Sequence, residues 1–270
     1  MSDQKPNVVV RVADAVWAGP LGFLAQLGEH ARLLWQVITW GIRPPSRPRL
    51  LVEQMDFVGV GSLGIVGLVG LFSGMVLALQ GVIALRQFQA ERMVGGVVGL
   101  TLTRELAPVM TCLMLTARAG SGMATELGSM RITEQIDALT TFAVNPIQYL
   151  LYPRVLATTI VAPLMTALFA AIGCWGGYLV AVYIMNVDGA LYTDNLLLLV
   201  DPKDITLGLL KAAAFGAMLS LIACFQGFYA EGGAKGVGLA TTRAVVYAAV
   251  MVLVFDYFLT EILMPLLGIS

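Results

Sequence analysis

Long apolar runs broken by short polar stretches dominate the chain. No Asp, Glu, Lys or Arg occurs between Asp56 and Arg86, between Arg154 and Asp188, or between Lys211 and Glu231. A bilayer core of about 30 Å takes roughly 20 apolar residues per helix, so the pattern predicts membrane spans. Five are expected: Phe57 to Leu85, Met93 to Ala117, the run from Arg154 toward Asp188, Ile205 to Tyr229, and Ala240 to Leu267. The third, as one helix, would measure about 50 Å at 1.5 Å per residue. It must tilt, protrude or bend, with Pro163 as the expected bend. In the first, Gly61, Gly64, Gly67, Gly70, Ser73 and Gly74 form a small-residue stripe that lets a neighbouring helix approach closely in lipid.

The flanking stretches read differently. From Trp17 to Trp40, Leu24, Leu27, Ala31, Leu34 and Ile38 alternate at helical spacing with Glu29, His30, Arg32 and Gln36. That pattern, with Trp17, Trp35 and Trp40, fits a helix lying along the membrane surface or one packed on the protein's own flank. Ile42 to Leu50 then breaks the helix with three prolines and adds Arg43, Arg47 and Arg49. Between the second and third spans, Ala117 to Ala124 reads as a small-residue turn. It leads into an amphipathic helix over about 125–142, with Ile132, Ile136 and Leu139 on one face and Glu126, Arg131, Glu134, Gln135 and Asp137 elsewhere. The fold class is therefore an all-α integral membrane protein. Residues 1–56 form an interfacial helix and elbow, and 57–270 form the membrane domain.

Composition agrees: 58% of the 270 residues are hydrophobic and 12% charged, too few charges to coat a soluble domain of that size. The placement of Lys and Arg favours a cytoplasmic N-terminus and a C-terminus on the far side, and no signal-peptide pattern opens the chain. Cys112, Cys174 and Cys224 lie in separate apolar runs without ligand spacing, and His30 is the only histidine. Neither a metal site nor a histidine-based triad is expected. No Gly-x-x-x-x-Gly-Lys-Ser/Thr loop occurs, so nucleotide chemistry would have to come from another subunit.

Candidate chemistry centres on Arg104 and Glu105 inside the second span. Ionisable groups at membrane depth are costly unless paired or facing water, and adjacent residues on a helix do not face one another. Each needs a partner elsewhere: another span, with Asp256 the obvious candidate for Arg104, or a polar cavity. Pro108, lacking an N–H, frees the carbonyl of Arg104. The segment 125–142 either docks in a groove on a soluble partner or rests on the bilayer, and its acidic character favours docking. The loop Glu231 to Gly238 reads equally as a hinge or a tight turn. A proton-coupled transporter using Glu105 and Asp256 as a relay is the alternative function class.

The run RELAPVMTCLMLTARAGSGMATELGSMRITEQIDAL from Arg104, followed by Asn145 and Pro146, resembles the signature of MlaE-type permeases, the YrbE family. SGMVLALQG at Ser73 and GVGLATTRAVV at Gly236 extend the likeness over about Phe57 to Pro265. The resemblance implies a non-enzymatic transmembrane subunit of an ABC system moving phospholipid or related lipid between the bacterial inner membrane and the cell envelope. It implies a homodimer, a cytoplasmic ATPase carrying ATP and Mg, a periplasmic MCE-domain ring and, in some assemblies, a STAS-domain subunit. No nucleic acid and no cofactor on this chain are implied. It further implies that Leu77, Gln80, Leu85, Phe88, Arg104, Glu105 and Leu106 line a lipid cavity around the dimer axis. Glu126, Arg131, Ile132, Glu134, Ile136, Asp137 and Leu139 would couple to the ATPase.

Overall fold

The computed structural model describes residues 28–29, 31–41 and 47–269, and no strand occurs among them. Five helical stretches are long and apolar enough to cross a membrane: Pro48–Arg86, Glu91–Ile132, Ile147–Ile184, Pro202–Phe228 and Gly233–Leu266, the first to fifth spans. A short helix, Gly189–Leu199, joins the third to the fourth. Asp188 caps it, accepting from the N–H groups of Ala190 and Leu191 at 2.8 and 3.2 Å.

The fourth span is the central post. In its most apolar window 67% of residues are buried, against 28% in the first and fifth spans, which form the outer walls. Backbone crowding explains how the others close on it. A Cβ on Gly208 would fall 2.2 Å from the carbonyl oxygen of Thr103 in the second span, so only glycine allows that approach. The small-residue stripe of the first span works in the same way against the third. A Cβ on Gly74 would sit 1.8 Å from the Gly173 oxygen, and one on Gly70 would sit 3.0 Å from that of Phe169. A Cβ on Gly64, by contrast, would meet nothing within 4 Å, so only part of the stripe is used in close packing within the chain.

Several boundaries differ from the sequence reading. The first span starts at Pro48 rather than Phe57: a helix Pro48–Val58 ends at Gly59, a 3₁₀ turn covers Val60–Ser62, and a second helix runs Leu63–Arg86. Glu53 and Asp56 ended the apolar run in the sequence, yet both sit on an exposed face and leave the helix intact. No turn interrupts Ala117 to Ala124. The second span passes through a π segment, Thr116–Gly120, into the helix Ser121–Ile132. Ala119, Gly120, Met123 and Ala124 are small or flexible because they are buried against the neighbouring spans, not because the chain turns. The helix Tyr152–Tyr178 is continuous through Pro163, and its departures from α geometry are the π segments at its ends, Ile147–Leu151 and Leu179–Ile184. The Glu231 to Gly238 loop is a tight turn, with Gly232 and Gly233 at φ +90° and +67° and the fifth span beginning inside it.

Of the expected helix from Trp17 to Trp40, residues 17–27 and His30 lie outside the described residues, as do residues 1–16 before it and elbow residues 42–46. The described part, 31–41, buries Leu33 and Val37 in a cluster with Leu127, Ile136, Leu151 and Val155. Leu34, Trp35 and Ile38 remain exposed on it. One face therefore packs on the protein's flank while an apolar face stays free.

Candidate functional site

Arg104 and Glu105 sit in a π segment, Leu102–Leu106, of the second span, a local widening of the helix that often marks function. Pro108 cannot donate to the Arg104 carbonyl, and Lys211 does so instead, with Nζ 3.2 Å from that oxygen. The same ammonium donates to Glu105 Oε2 at 2.6 Å and to Thr260 Oγ1 at 2.9 Å. Those three bonds use all its donors. Asp256 Oδ1, 2.7 Å away, is held as an ion pair without an aligned hydrogen bond. Lys211 is fully buried, so one lysine of the fourth span ties together the second and fifth.

Arg104 points the other way. Its Nε donates to Asp204 Oδ1 at 2.7 Å, and Asp204 Oδ2 accepts from the Asp201 N–H at 3.0 Å as the fourth span begins. The expected Arg104–Asp256 pair is thus replaced by two separate pairings, Arg104–Asp204 and Lys211–Asp256. The reason is position: Asp204 lies in the first turn of a helix that starts at Pro202, and Lys211 stands about 10 Å further along it. In the sequence Asp204 lies just before the expected fourth span and Lys211 at the edge of an uncharged run, so neither stands out as a partner. Their spacing of seven residues, two helical turns on one face, was the signal that could have found them. Two cations face three carboxylates in this cluster, and Glu105, with 42% of its side chain accessible, is the most outward of the five.

The other expected lipid contacts are more scattered. Leu77, Leu85 and Leu106 pack at the edge of the main core, Gln80 is exposed, and Phe88 lies 78% exposed beyond the first span. Three pockets of the chain, around Tyr149, Tyr247 and Thr125, involve none of these seven residues.

At the opposite end of the spans, the expected single helix over 125–142 is two pieces. The second span continues to Ile132, and a short helix Gln135–Thr141 follows. Glu134, at φ +58°, makes the corner, and Ala143, also at φ +58°, makes the exit. The shared apolar face of Ile132, Ile136 and Leu139 is correspondingly broken: Ile136 is buried, Leu139 half-buried and Ile132 37% exposed. Arg131 Nη1 bridges the corner to Asp137 Oδ1 at 2.7 Å. Glu126, half of whose side chain is exposed, pairs with Arg154, 2.9 Å away, whose own side chain is 3% exposed and whose Nε and Nη1 have no partner. The exposed surface of the corner includes Ile132, Thr133, Glu134, Gln135, Asp137 and Phe142, with Glu126 exposed further back on the second span. Phe142, 78% exposed, was not singled out from the sequence.

The family model described as Permease MlaE matches residues 51–262. The chain belongs to the MlaE permease family. That match reaches all five spans, leaving out only residues 48–50 of the first and 263–266 of the fifth, and contains the whole charged cluster. Among MlaE relatives, the intermembrane phospholipid transport system permease protein MlaE of Haemophilus influenzae is 38% identical over 257 residues, 95% of this chain and 98% of its own. A probable ABC transporter permease protein of Rickettsia conorii is 40% identical over 255 residues, 94% and 98% of the two chains. The chloroplastic protein TRIGALACTOSYLDIACYLGLYCEROL 1 of Arabidopsis thaliana is 35% identical over 213 residues, 79% of this chain and 61% of its own.

Proposed function

We propose that this MlaE permease is the membrane subunit of an ABC transporter that moves phospholipid between the bacterial inner membrane and the cell envelope. The observation that carries the reading is a five-span membrane body with a charged cluster inside and a firmly mounted, exposed corner at the other end, in a chain that matches a phospholipid transport permease over nearly its whole length. A lipid needs apolar walls with a few polar groups near its headgroup. Glu105 supplies the polar group, and Leu77, Gln80, Leu85, Phe88, Arg104 and Leu106 are the wall candidates on the outward side. The poorly buried first and fifth spans would face a second copy of the chain, so that the cavity is completed in a homodimer.

Energy would come from a cytoplasmic ATPase carrying ATP and Mg, docked on Ile132, Glu134 and Asp137. In this orientation the 133–146 corner and the N-terminus are cytoplasmic, and Asp204 and the C-terminus are periplasmic, beneath an MCE-domain ring; a STAS-domain subunit would sit on the ATPase. ATPase closure would push the corner and shift the second and third spans against the fourth.

Gentle purification from native membrane, with identification of co-purifying proteins and mass spectrometry of bound lipid, tests this. An ATPase arriving with phospholipid is the expected result, and charge reversal of Glu134 and Asp137 together should reduce ATPase recovery. Lipid transport abolished by an uncoupler at constant ATP, with no ATPase bound, would replace the reading by a proton-coupled transporter.

A further inference from the structure

The first span breaks at Gly59–Ser62, and a side chain from the second span fills the break. Arg118 lies in the π segment Thr116–Gly120. Its Nη1 donates to the main-chain oxygen of Phe57 and lies 3.4 Å from Ser62 Oγ. Its guanidinium carbon sits 4.8 Å from the centre of the Phe57 ring, within cation–π range. The last turn of a helix leaves carbonyls without an intrahelical donor, and Phe57 is the penultimate residue of Pro48–Val58. Arg118 supplies that missing donor from another span. Gly61 makes room for it, because a Cβ there would fall 2.0 Å from Nη2. Among the described residues no carboxylate forms an ion pair with Arg118. The guanidinium is therefore committed to the backbone break rather than to a charge partner.

Two departures from α geometry, a 3₁₀ turn in the first span and a π segment in the second, meet at this one side chain. From Arg118 the second span continues as the helix Ser121–Ile132 to the exposed corner at Glu134. We infer that Arg118 is a positioning residue that locks the break in the first span to the second span, so that the arm Pro48–Val58 moves with the exposed corner rather than with Leu63–Arg86. Displacement of the corner then reaches the Pro48–Val58 arm of the first span without passing through the Lys211 cluster. This rests on the ATP-driven transport reading above.

The test uses the complete complex with its ATPase in lipid bilayers, comparing the unmodified permease with R118Q, R118K and G61A. Two readouts are taken: transfer of an acyl-labelled fluorescent phosphatidylglycerol per ATP hydrolysed, and spin-label distances from Val52 to Ser129 and from Val52 to Val76, with and without ATP. In the unmodified permease the Val52–Ser129 distance stays fixed while the Val52–Val76 distance changes with ATP. R118Q should broaden the first distance and lower lipid moved per ATP by about tenfold, the size of one lost charge-assisted hydrogen bond. Hydrolysis itself should persist, and R118K should fall between R118Q and the unmodified protein. G61A, which evicts the guanidinium while leaving the arginine in place, should reproduce R118Q and carries the test if R118Q does not fold. Unmodified lipid transfer per ATP and unchanged distances in R118Q or G61A would overturn the inference. A complex of the unmodified permease that moves no lipid with ATP defeats the transport reading alone, and the two distances then still decide the role of Arg118.

Discussion

Lys211→Met removes the cation shared by the second, fourth and fifth spans while nearly keeping side-chain volume. Nζ lies 2.6 Å from Glu105 Oε2 and 2.7 Å from Asp256 Oδ1, and also contacts Thr260 and the Arg104 carbonyl. Breaking a buried pair by deleting one partner costs about 3–5 kcal/mol, because the other charge is left buried and uncompensated. Glu105 is 42% exposed, so its share is screened and the loss falls mainly on Asp256, at 22%. The low end, about 3 kcal/mol, is therefore expected. At roughly 2–4 °C per kcal/mol for a chain of this size, Tm falls by roughly 6–12 °C. Thermal unfolding in mild detergent, followed by circular dichroism, reads this directly. The triple variant Lys211→Met, Glu105→Gln, Asp256→Asn holds no uncompensated charge and should recover more than half of the loss, since neutral replacement of a whole buried ionic group is often tolerated. The reasoning is refuted if Lys211→Met melts within about 3 °C of the unmodified protein, or if the triple variant is no more stable than the single one.

Glu105→Ala should lower lipid transfer by the assembled transporter while changing Tm little, because Glu105 is the outward member of the cluster. Arg104→Ala should instead lower Tm by several degrees, since it strands Asp204, which is 1% exposed. Gly74→Ala drives a methyl into the Gly173 carbonyl and should cost about 1–3 kcal/mol by separating the first and third spans, visible in the same melt. Ala143→Gly relieves a left-handed backbone at φ +58° and should gain about 1 kcal/mol, with a higher Tm.

The spans were legible because the absence of charge over 57–85, 155–187 and 212–230 is a local property that survives folding. Their ends were not, because a charge ends an apolar run whether or not it ends the helix: Glu53 and Asp56 ride on a helix that continues past them. Small residues were ambiguous in the same way. Those from Ala117 to Ala124 look like a turn, yet a Cβ on Gly227 would fall 2.6 Å from the Ala124 oxygen, so their size serves close packing. The chemistry of the site was half legible. The sequence marked Arg104 and Glu105 as needing partners and the Arg104 carbonyl as free. The partners, Asp204 and Lys211, lie about a hundred residues away on another helix, and nothing local selects Asp204 over Asp256. Arg118 was likewise invisible as a cap, because the break it fills belongs to a different span.

The Lys211 cluster also constrains the order in which this chain can be made. A lysine near the middle of a membrane helix disfavours insertion by about 2.5–3.5 kcal/mol, and the fourth span carries Lys211 with no acidic residue of its own close enough to neutralise it. Leaving the translocation machinery alone, that segment would drag an unpaired ammonium into hydrocarbon. Beside the second span it meets Glu105 and the Arg104 carbonyl at once. The second span, synthesised earlier, would therefore receive the fourth, and the fifth would then bring Asp256 and Thr260 to the same ammonium. A nascent chain ending at Phe228 would already balance Arg104 and Lys211 against Asp204 and Glu105, so the last helix adds the third carboxylate and a hydroxyl to a cluster whose charges are matched before it arrives.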